Sequence, residues 1–179
     1  MNSRTLARVG GAVAATAVVG SLASRDTSNE WYRTLRKPRI QPPAAVFPAV
    51  WTTLYVGITA SATATLERAE PETARSYRRA LATNLVLNAS WSWVFFKLHR
   101  LGPAVGVAAA LTASSGDLAR RSWDVERRAG WALVPYAAWC GFATVLSAAI
   151  WRRNEKDPTR FARRGSATTR PDRAAPRRP

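Results

Sequence analysis

The stretch Trp31–Ala62 reads WYRTLRKPRIQPPAAVFPAVWTTLYVGITASA and joins a basic, proline-rich segment directly to a long uncharged one. Prolines at positions 38, 42 and 43 lack a backbone donor and bias the residues before them away from the helical conformation. Residues 40–66 carry no charge, and this run is longer than the roughly 20 residues that a helix needs to cross a bilayer. The stretch therefore predicts a folded loop at a membrane surface that leads into a membrane-spanning helix.

Four further apolar blocks lie between charged residues, at 9–24, 80–96, 101–116 and 129–151. Only the last is long enough by itself to span a bilayer, although flanking Arg and Lys side chains can lengthen the others by snorkelling. The first block follows Arg4 and Arg8 and ends near Ala23, so it also fits a secretory signal peptide. From the residues alone, both a retained helix and a cleaved signal stay open for this block.

Three aromatic-rich blocks follow one another between residues 31 and 154. They are Trp31-Tyr32, Leu35, Lys37-Pro38, Pro42-Pro43, Val46-Phe47, Trp51 and Leu54-Tyr55; then Leu87-Asn88, Trp91 and Phe95-Phe96; then Pro135-Tyr136, Ala138-Trp139, Phe142-Ala143-Thr144, Leu146 and Trp151. In order and spacing these blocks resemble the TspO/MBR family of tryptophan-rich sensory and translocator proteins. The resemblance implies an all-α integral membrane bundle of five helices with a retained first helix, and the excess of Lys and Arg predicts a cytoplasmic loop between the first two helices. The helices are expected at roughly 5–24, 44–66, 78–97, 102–120 and 129–152.

The charge distribution predicts two regions and an orientation. We expect a five-helix transmembrane domain at 1–154 and a disordered, Arg/Pro-rich cytoplasmic tail at 155–179. The net charge is +16, and with five spans most Lys and Arg fall on the side of the C-terminus and the first loop. The positive-inside rule then places the C-terminus in the cytoplasm and the N-terminus outside. We therefore expect the positive charge to interact with the lipid bilayer and not with nucleic acid.

The sequence offers no catalytic residues of the usual kinds. The only histidine, His99, lies in a short basic loop and is expected at the surface, and the single cysteine, Cys140, is expected to be a small buried residue. The apolar blocks contain no Asp, Glu, Lys or Arg, so proton relays lack their usual groups. No covalently bound cofactor and no metal site are expected.

Helical spacing places aromatic and amide side chains on shared faces. These faces hold Phe47, Trp51 and Tyr55; Asn84, Asn88 and Trp91; and Trp139 and Phe142. Amides are unfavourable toward lipid, so both Asn side chains are expected inside the bundle. A cavity lined by such rings suits a large flat apolar ligand with polar edges. The alternative is packing alone, with Trp31, Trp131 and Trp151 as anchors at the membrane interface.

The resemblance implies porphyrin or haem-like tetrapyrroles as ligands, and frequent homodimers. It places Trp51 and Trp139 at the ligand, with Tyr32, Asn84 and Asn88 carried over less directly, and we expect both tryptophans to face one cavity. Arg36 and Lys37 in the loop are candidates for attracting propionate groups or, alternatively, lipid headgroups.

The chain departs from the family pattern at several positions. Ile40 stands where the family usually has Trp, Asn84 where Gln is common, and Ser147 where Asn is usual. Because the proposed sterol-contact pattern is incomplete near Ala148, sterol binding is the property of the family that we least expect in this chain. Gly102 and Gly106 form a Gly-x-x-x-Gly pair that serves either a dimer or packing within one chain.

Three functions remain open at this level. The leading hypothesis is a membrane receptor or carrier for tetrapyrroles. The alternatives are a light- or oxygen-dependent enzyme for oxidative porphyrin breakdown, in which the cavity tryptophans are redox partners, and a ligand-sensing scaffold that acts through protein partners.

Overall fold

The computed structural model describes residues 2–25 and 30–155, and all regular structure within these ranges is helical. The elements in chain order are α1 (Ser3–Ser24), α2 (Glu30–Thr34), α3 (Val46–Arg68), α4 (Pro71–Ser92), a π-helical turn (Trp93–Lys97), α5 (Leu101–Val125) and α6 (Arg127–Glu155). The all-α prediction is confirmed for these residues. The expected tail at 155–179 lies, except for its first residue, outside the described part of the chain.

Prolines and short turns set the helix boundaries. A turn in which the Val46 amide donates to the Pro43 carbonyl over 3.0 Å precedes α3, so this helix begins two residues later than expected. Helix α4 begins with Pro71, where a missing backbone donor is tolerated, and therefore starts before the expected residue 78. Between α5 and α6 only Glu126 interrupts the helical conformation, with φ −146° and ψ 109°.

The five long helices pack around two apolar clusters. Helices α5 and α6 form the most extensive pair, while α4 packs on α5, α3 packs on α6, and α1 packs on both α3 and α4. The larger cluster includes Val13 of α1, Ile58 of α3 and Leu118 of α5. The second cluster lies at the end of the molecule where Leu35 of the 30–45 segment meets Phe95 and Ile150. Helix α1 is thus part of the packed structure.

Two of these helices, α1 and α6, are long and apolar enough to cross a membrane by length and composition. Helices α4 and α5 are less apolar because each carries a charged stretch at one end. Helix α4 begins with a charged stretch that includes Arg78 and Arg79, and α5 ends with one that includes Asp117 and Arg120. Both charged stretches extend the helices beyond the apolar blocks seen in the sequence.

The corner between α5 and α6 depends on Gly130. A Cβ atom at this position would lie 2.7 Å from Trp123 Cβ and 2.8 Å from Trp123 Cα, so the two helices could not keep their present separation. At Gly116, by contrast, an added Cβ would have nothing within 4 Å.

We expect Gly130→Ala to lower the free energy of unfolding by about 1–3 kcal/mol, because an overpacked backbone contact must be relieved by shifting a helix. Gly116→Ala is the matched control and should be neutral or stabilising by up to about 1 kcal/mol, since alanine is the better helix former. Thermal unfolding in detergent, followed by far-ultraviolet circular dichroism, measures both. Equal melting temperatures for the two variants would contradict the close approach.

Candidate ligand cavity

A cavity of about 440 Å³ lies in the half of the molecule next to the 30–45 segment. Its walls come from α1, the 30–45 segment, α3, the end of α4 with the π-helical turn, and the end of α6. The lining residues are Ala17, Gly20, Ser21, Ser24, Tyr32, Gln41, Ala44, Phe47, Pro48, Trp51, Thr52, Tyr55, Asn88, Trp91, Ser92, Phe95, Phe96, Leu146, Ser147 and Ile150. None of them is charged, and the volume is within the range of small-molecule sites.

Aromatic rings dominate two sides of the cavity. On α3, the Trp51 and Tyr55 rings lie 5.4 Å apart between centroids. At the end of α4, Trp91 stacks on Phe95 at 5.4 Å and meets Phe96 edge-on at 5.9 Å. These two aromatic walls offer flat apolar surfaces with few rotatable bonds, which suits a planar ligand.

A chain of hydrogen bonds runs from the cavity into the bundle. The Tyr55 hydroxyl donates to Asn88 Oδ1 at 3.0 Å, and Asn88 Nδ2 donates to the Tyr136 hydroxyl at 3.2 Å. The Tyr136 hydroxyl in turn donates to Asn84 Oδ1 at 2.8 Å, and Asn84 Nδ2 donates to Ser115 Oγ at 3.1 Å. The amides predicted to face the interior do so. Of the two, only Asn88 lines the cavity, and Asn84 is 0% exposed.

Trp139 does not line this cavity, so the expectation that it shares one cavity with Trp51 is wrong. It lies with Phe142 in an open groove of about 560 Å³ between α3 and α6, which we call the α3–α6 groove; its residues are Ala49, Val50, Thr53, Leu54, Pro135, Ala138, Trp139 and Phe142. The reason is the rotation of α6. Tyr136 and Cys140 point inward with 1% exposure each, and Trp139, one residue before Cys140, lies about 100° around the helix.

Phe47 connects the cavity with the α3–α6 groove. Its ring lines the cavity and meets the Trp139 ring edge-on at 6.0 Å. Trp139 also packs on Phe142 at 5.3 Å. Of the predicted site residues, the structure therefore brings Tyr32, Phe47, Trp51, Tyr55, Asn88 and Trp91 together at the cavity, and places Trp139 and Phe142 behind Phe47.

The 30–45 segment covers one end of the cavity. Tyr32 and Gln41 line it, and Gln41 Nε2 donates to the Tyr32 hydroxyl at 3.2 Å. The Lys37 ammonium lies 3.9 Å from the centre of the Tyr32 ring. Burial raises the pKa of the Tyr32 phenol above its ordinary value, although the Gln41 hydrogen bond opposes part of this shift, so Tyr32 stays neutral at physiological pH.

The same segment is held to α6 through the backbone of Arg36. The Arg36 amide donates to Asn154 Oδ1 at 3.0 Å, and Asn154 Nδ2 donates to the Arg36 carbonyl at 3.3 Å. Arg36 and Lys37 thus belong to the cover, and the cavity wall itself includes neither.

Some contacts at this end could not be expected from the residue pattern. His99, correctly expected at the surface, stacks on Trp31 with ring centroids 4.0 Å apart and adopts φ 53°. The π-helical turn just before it shifts the register of the chain, and no residue pattern signals such a turn. The small residues Gly20 and Ser24 of α1 also line the cavity. Their four-residue spacing in the sequence is the pattern that could have indicated a close-packed face of α1.

The burial of Cys140 bears out one more expectation, and the two glycines of the Gly-x-x-x-Gly pair differ in their surroundings. Cys140 is buried and lies 3.5 Å from Ser115 Oγ. A Cβ on Gly102 would lie 3.3 Å from Trp151 Nε1, so this glycine serves packing within the chain, whereas Gly106 has open space. Among the described residues no group of three or more His, Cys, Asp or Glu side chains could hold a metal ion.

Comparison with known proteins gives the family. The sequence profile of the TspO/MBR family matches residues 9–152. This chain belongs to the TspO/MBR family. Protein CrtK of Rhodobacter capsulatus is 33% identical over 141 residues, covering 78% of this chain and 88% of that protein. The tryptophan-rich sensory protein of Cereibacter sphaeroides is 32% identical over 147 residues, covering 82% and 89%. Membrane protein YtaB of Bacillus subtilis is 30% identical over 121 residues, covering 68% and 78%.

Membership of the TspO/MBR family, together with the apolar helices α1 and α6, identifies an integral membrane protein. The three aromatic blocks of the sequence fall on the 30–45 segment with α3, on the end of α4, and on α6. Two of these blocks meet at the cavity, and the third divides between the cavity and the α3–α6 groove.

The Tyr136 hydroxyl is the central link of the hydrogen-bond chain. We expect Tyr136→Phe to lower the free energy of unfolding by about 1–3 kcal/mol, because it leaves Asn84 Oδ1 and Asn88 Nδ2 buried without a partner. Tyr55→Phe is the matched control; it removes only the terminal donor and should have the smaller effect. Chemical or thermal unfolding in detergent measures both. A Tyr136→Phe protein as stable as the wild type would show that the chain is not stabilising.

Proposed function

We propose that this TspO/MBR protein is a membrane receptor or carrier that binds a porphyrin or haem-like tetrapyrrole in the cavity beside Trp51. The observation that carries the proposal is an uncharged cavity of about 440 Å³ whose lining includes two groups of aromatic rings, Trp51 with Tyr55 and Trp91 with Phe95. A tetrapyrrole macrocycle is flat, apolar on its faces and polar only at its edges, and therefore matches such walls.

The 30–45 segment, which covers the cavity, carries cations that suit the propionate groups at the edge of a tetrapyrrole. Lys37 and Arg36 lie in the 30–45 segment, and Lys37 is held over the ring of Tyr32, which itself lines the cavity. Cations at this position favour ligands whose propionate groups point toward the cover. The same segment acts as a lid in this proposal. Its prolines restrict the free conformations, so less entropy is lost when it closes.

The proposal includes five membrane-crossing helices, α1, α3, α4, α5 and α6, with the 30–45 segment and the C-terminus on the cytoplasmic side. The corner from α3 to α4 and the corner from α5 to α6 then lie together on the opposite side, with Arg68 paired to Glu126 at 3.1 Å. The charged ends of α4 and α5 project from that side, which reconciles them with spanning helices. A homodimer is part of the family expectation that this proposal retains.

The topology is testable with reporter fusions. A reporter fused after Arg153 should be located in the cytoplasm, and the same reporter inserted at Glu70 should be located outside the cell membrane. The two locations differ because an odd number of spans separates the two sites. Activity of both fusions on one side would contradict the five-span arrangement. An external reporter after Arg153 with a cytoplasmic one at Glu70 would reverse the orientation.

Ligand binding is testable by titrating the detergent-solubilised protein with protoporphyrin. We expect Trp51→Phe to weaken binding by roughly 2- to 13-fold, because about 0.5–1.5 kcal/mol of stacking is lost at about 1.4 kcal/mol per decade. Trp131→Phe is the matched control, since this ring is 58% exposed and lies outside the cavity wall. Trp139→Phe should have a smaller effect than Trp51→Phe, because it acts only through Phe47.

Three outcomes separate the candidate functions. Binding with an unchanged porphyrin spectrum in light and dark supports the receptor. Loss of the spectrum with a new product, abolished in Trp51→Phe, supports the porphyrin-degrading enzyme. Absence of binding removes the tetrapyrrole proposal and favours a scaffold that acts through protein partners.

A further inference from the structure

The cavity and the α3–α6 groove are separated by a thin partition. On α3, Phe47 and Pro48 line the cavity, and the next residue, Ala49, lines the groove. On α6, Phe142 lines the groove, and Leu146, about one turn further along the helix, lines the cavity. About one turn of each helix therefore divides the two spaces.

The partition consists of the side chains of Phe47, Trp139, Phe142 and Leu146. The Phe47 ring meets the Trp139 ring edge-on at 6.0 Å, and Trp139 packs on Phe142 at 5.3 Å. Both phenylalanines pack on the apolar cluster that contains Leu146. Phe and Leu have no polar side-chain atoms, so these three side chains can change rotamer without breaking a side-chain hydrogen bond. Displacing the Phe47 ring from Trp139 would join the two spaces at the cost of packing contacts.

Helices α3 and α6 are fastened together at the end remote from the cavity. There the Ser61 hydroxyl donates to the Ala129 carbonyl at 2.8 Å, and a Cβ on Gly57 would lie 3.6 Å from the Ala132 carbonyl oxygen. At the groove, α6 contains Pro135, which lacks the backbone donor of a regular helix and marks a position where helices bend. The helices can thus separate at the groove while their remote ends stay together.

The groove opens onto the surface that the bilayer covers in the five-span arrangement. Four of its residues, Ala49, Thr53, Pro135 and Ala138, are exposed, and none of its lining residues is charged. Thr53, the one hydroxyl side chain among them, donates to the Ala49 carbonyl at 3.1 Å. A ligand with apolar faces that is dissolved in the lipid would therefore meet an apolar entrance.

Entry under the 30–45 segment would break stronger contacts. The Arg36 backbone exchanges two hydrogen bonds with the Asn154 side-chain amide, at 3.0 Å and 3.3 Å. Leu35, beside Arg36, is only 5% exposed and belongs to the apolar cluster at this end of the molecule. Lifting the segment would break both hydrogen bonds and expose Leu35, whereas opening the groove displaces rings that stay within apolar surroundings.

We propose that the tetrapyrrole enters and leaves the cavity from the bilayer through the α3–α6 groove, with the Phe47 ring as the gate and Trp139 as the contact that holds the gate closed. This inference rests on the proposed function, because it takes the cavity beside Trp51 as the binding site. A gate changes the barrier and not the free or bound state. It therefore alters the association and dissociation rate constants by one factor and leaves Kd unchanged.

The test measures mesoporphyrin exchange by temperature-jump relaxation, with the protein and mesoporphyrin in the same phosphatidylcholine vesicles. The dependence of the relaxation rate on mesoporphyrin concentration gives both rate constants. Trp139→Ala removes the contact that holds Phe47, so both rate constants should rise by about threefold or more. Ala138→Phe adds a ring to the groove, so both should fall by about fivefold. In each variant Kd should stay within about twofold of the wild-type value.

Two control variants separate the groove from other parts of the protein. Val145→Phe also adds a ring to α6, but Val145 is 59% exposed and lines neither the groove nor the cavity, so both rate constants should stay at the wild-type values. Asn154→Ala loosens the 30–45 segment by removing both hydrogen bonds to Arg36. If the ligand enters through the groove, this variant should leave the association rate constant within about twofold of the wild type.

The outcomes distinguish the entrance from the proposed function. If mesoporphyrin does not bind the wild type at equilibrium, the proposed function fails. If it binds and neither Trp139→Ala nor Ala138→Phe changes the rate constants, the proposed function stands and the entrance is overturned. Faster exchange in Asn154→Ala alone likewise overturns it in favour of entry under the 30–45 segment. Because the two groove variants should move the rates in opposite directions, either of them tests the entrance if the other does not fold.

Discussion

The Tyr136 hydroxyl is the constraint on which the arrangement of this protein depends. It accepts from Asn88 and donates to Asn84, so it joins α6 to α4, and the chain continues to Tyr55 of α3 and Ser115 of α5. These groups are buried between the helices, so losing one member of the chain leaves its neighbours without a hydrogen-bond partner. One phenol thus fixes the relative rotation of four helices.

The rotation of α6 has consequences for the site. With Tyr136 and Cys140 turned inward, Trp139 is placed in the α3–α6 groove and Phe47 stands between it and the cavity. The cavity therefore has its aromatic walls from α3 and from the end of α4, and α6 contributes Leu146, Ser147 and Ile150. Ser147 places a small polar group at that point of the wall.

Much of this arrangement could be predicted from the sequence because it follows from strong local signals. The uncharged run after Pro43 predicts α3, and helical spacing places Trp51, Tyr55 and Asn88 toward the interior. The prediction for Trp139 failed because it depends on how α6 is rotated about its own axis, and neighbouring residues of a helix point about 100° apart. Periodicity grouped Trp139 with the inward face, but hydrogen bonding by Tyr136 decides which side of α6 is internal. Gln41, an ordinary loop residue in the sequence, reaches the cavity only because the turn after Pro38 directs it there.

The most direct test of the account is an experimental structure of the protein with bound mesoporphyrin. We expect a macrocycle between the Trp51–Tyr55 wall and the Trp91–Phe95 wall, under the 30–45 segment, with Trp139 out of contact. A macrocycle seated on Trp139 and Phe142 in the α3–α6 groove, with the cavity beside Trp51 empty, would contradict it.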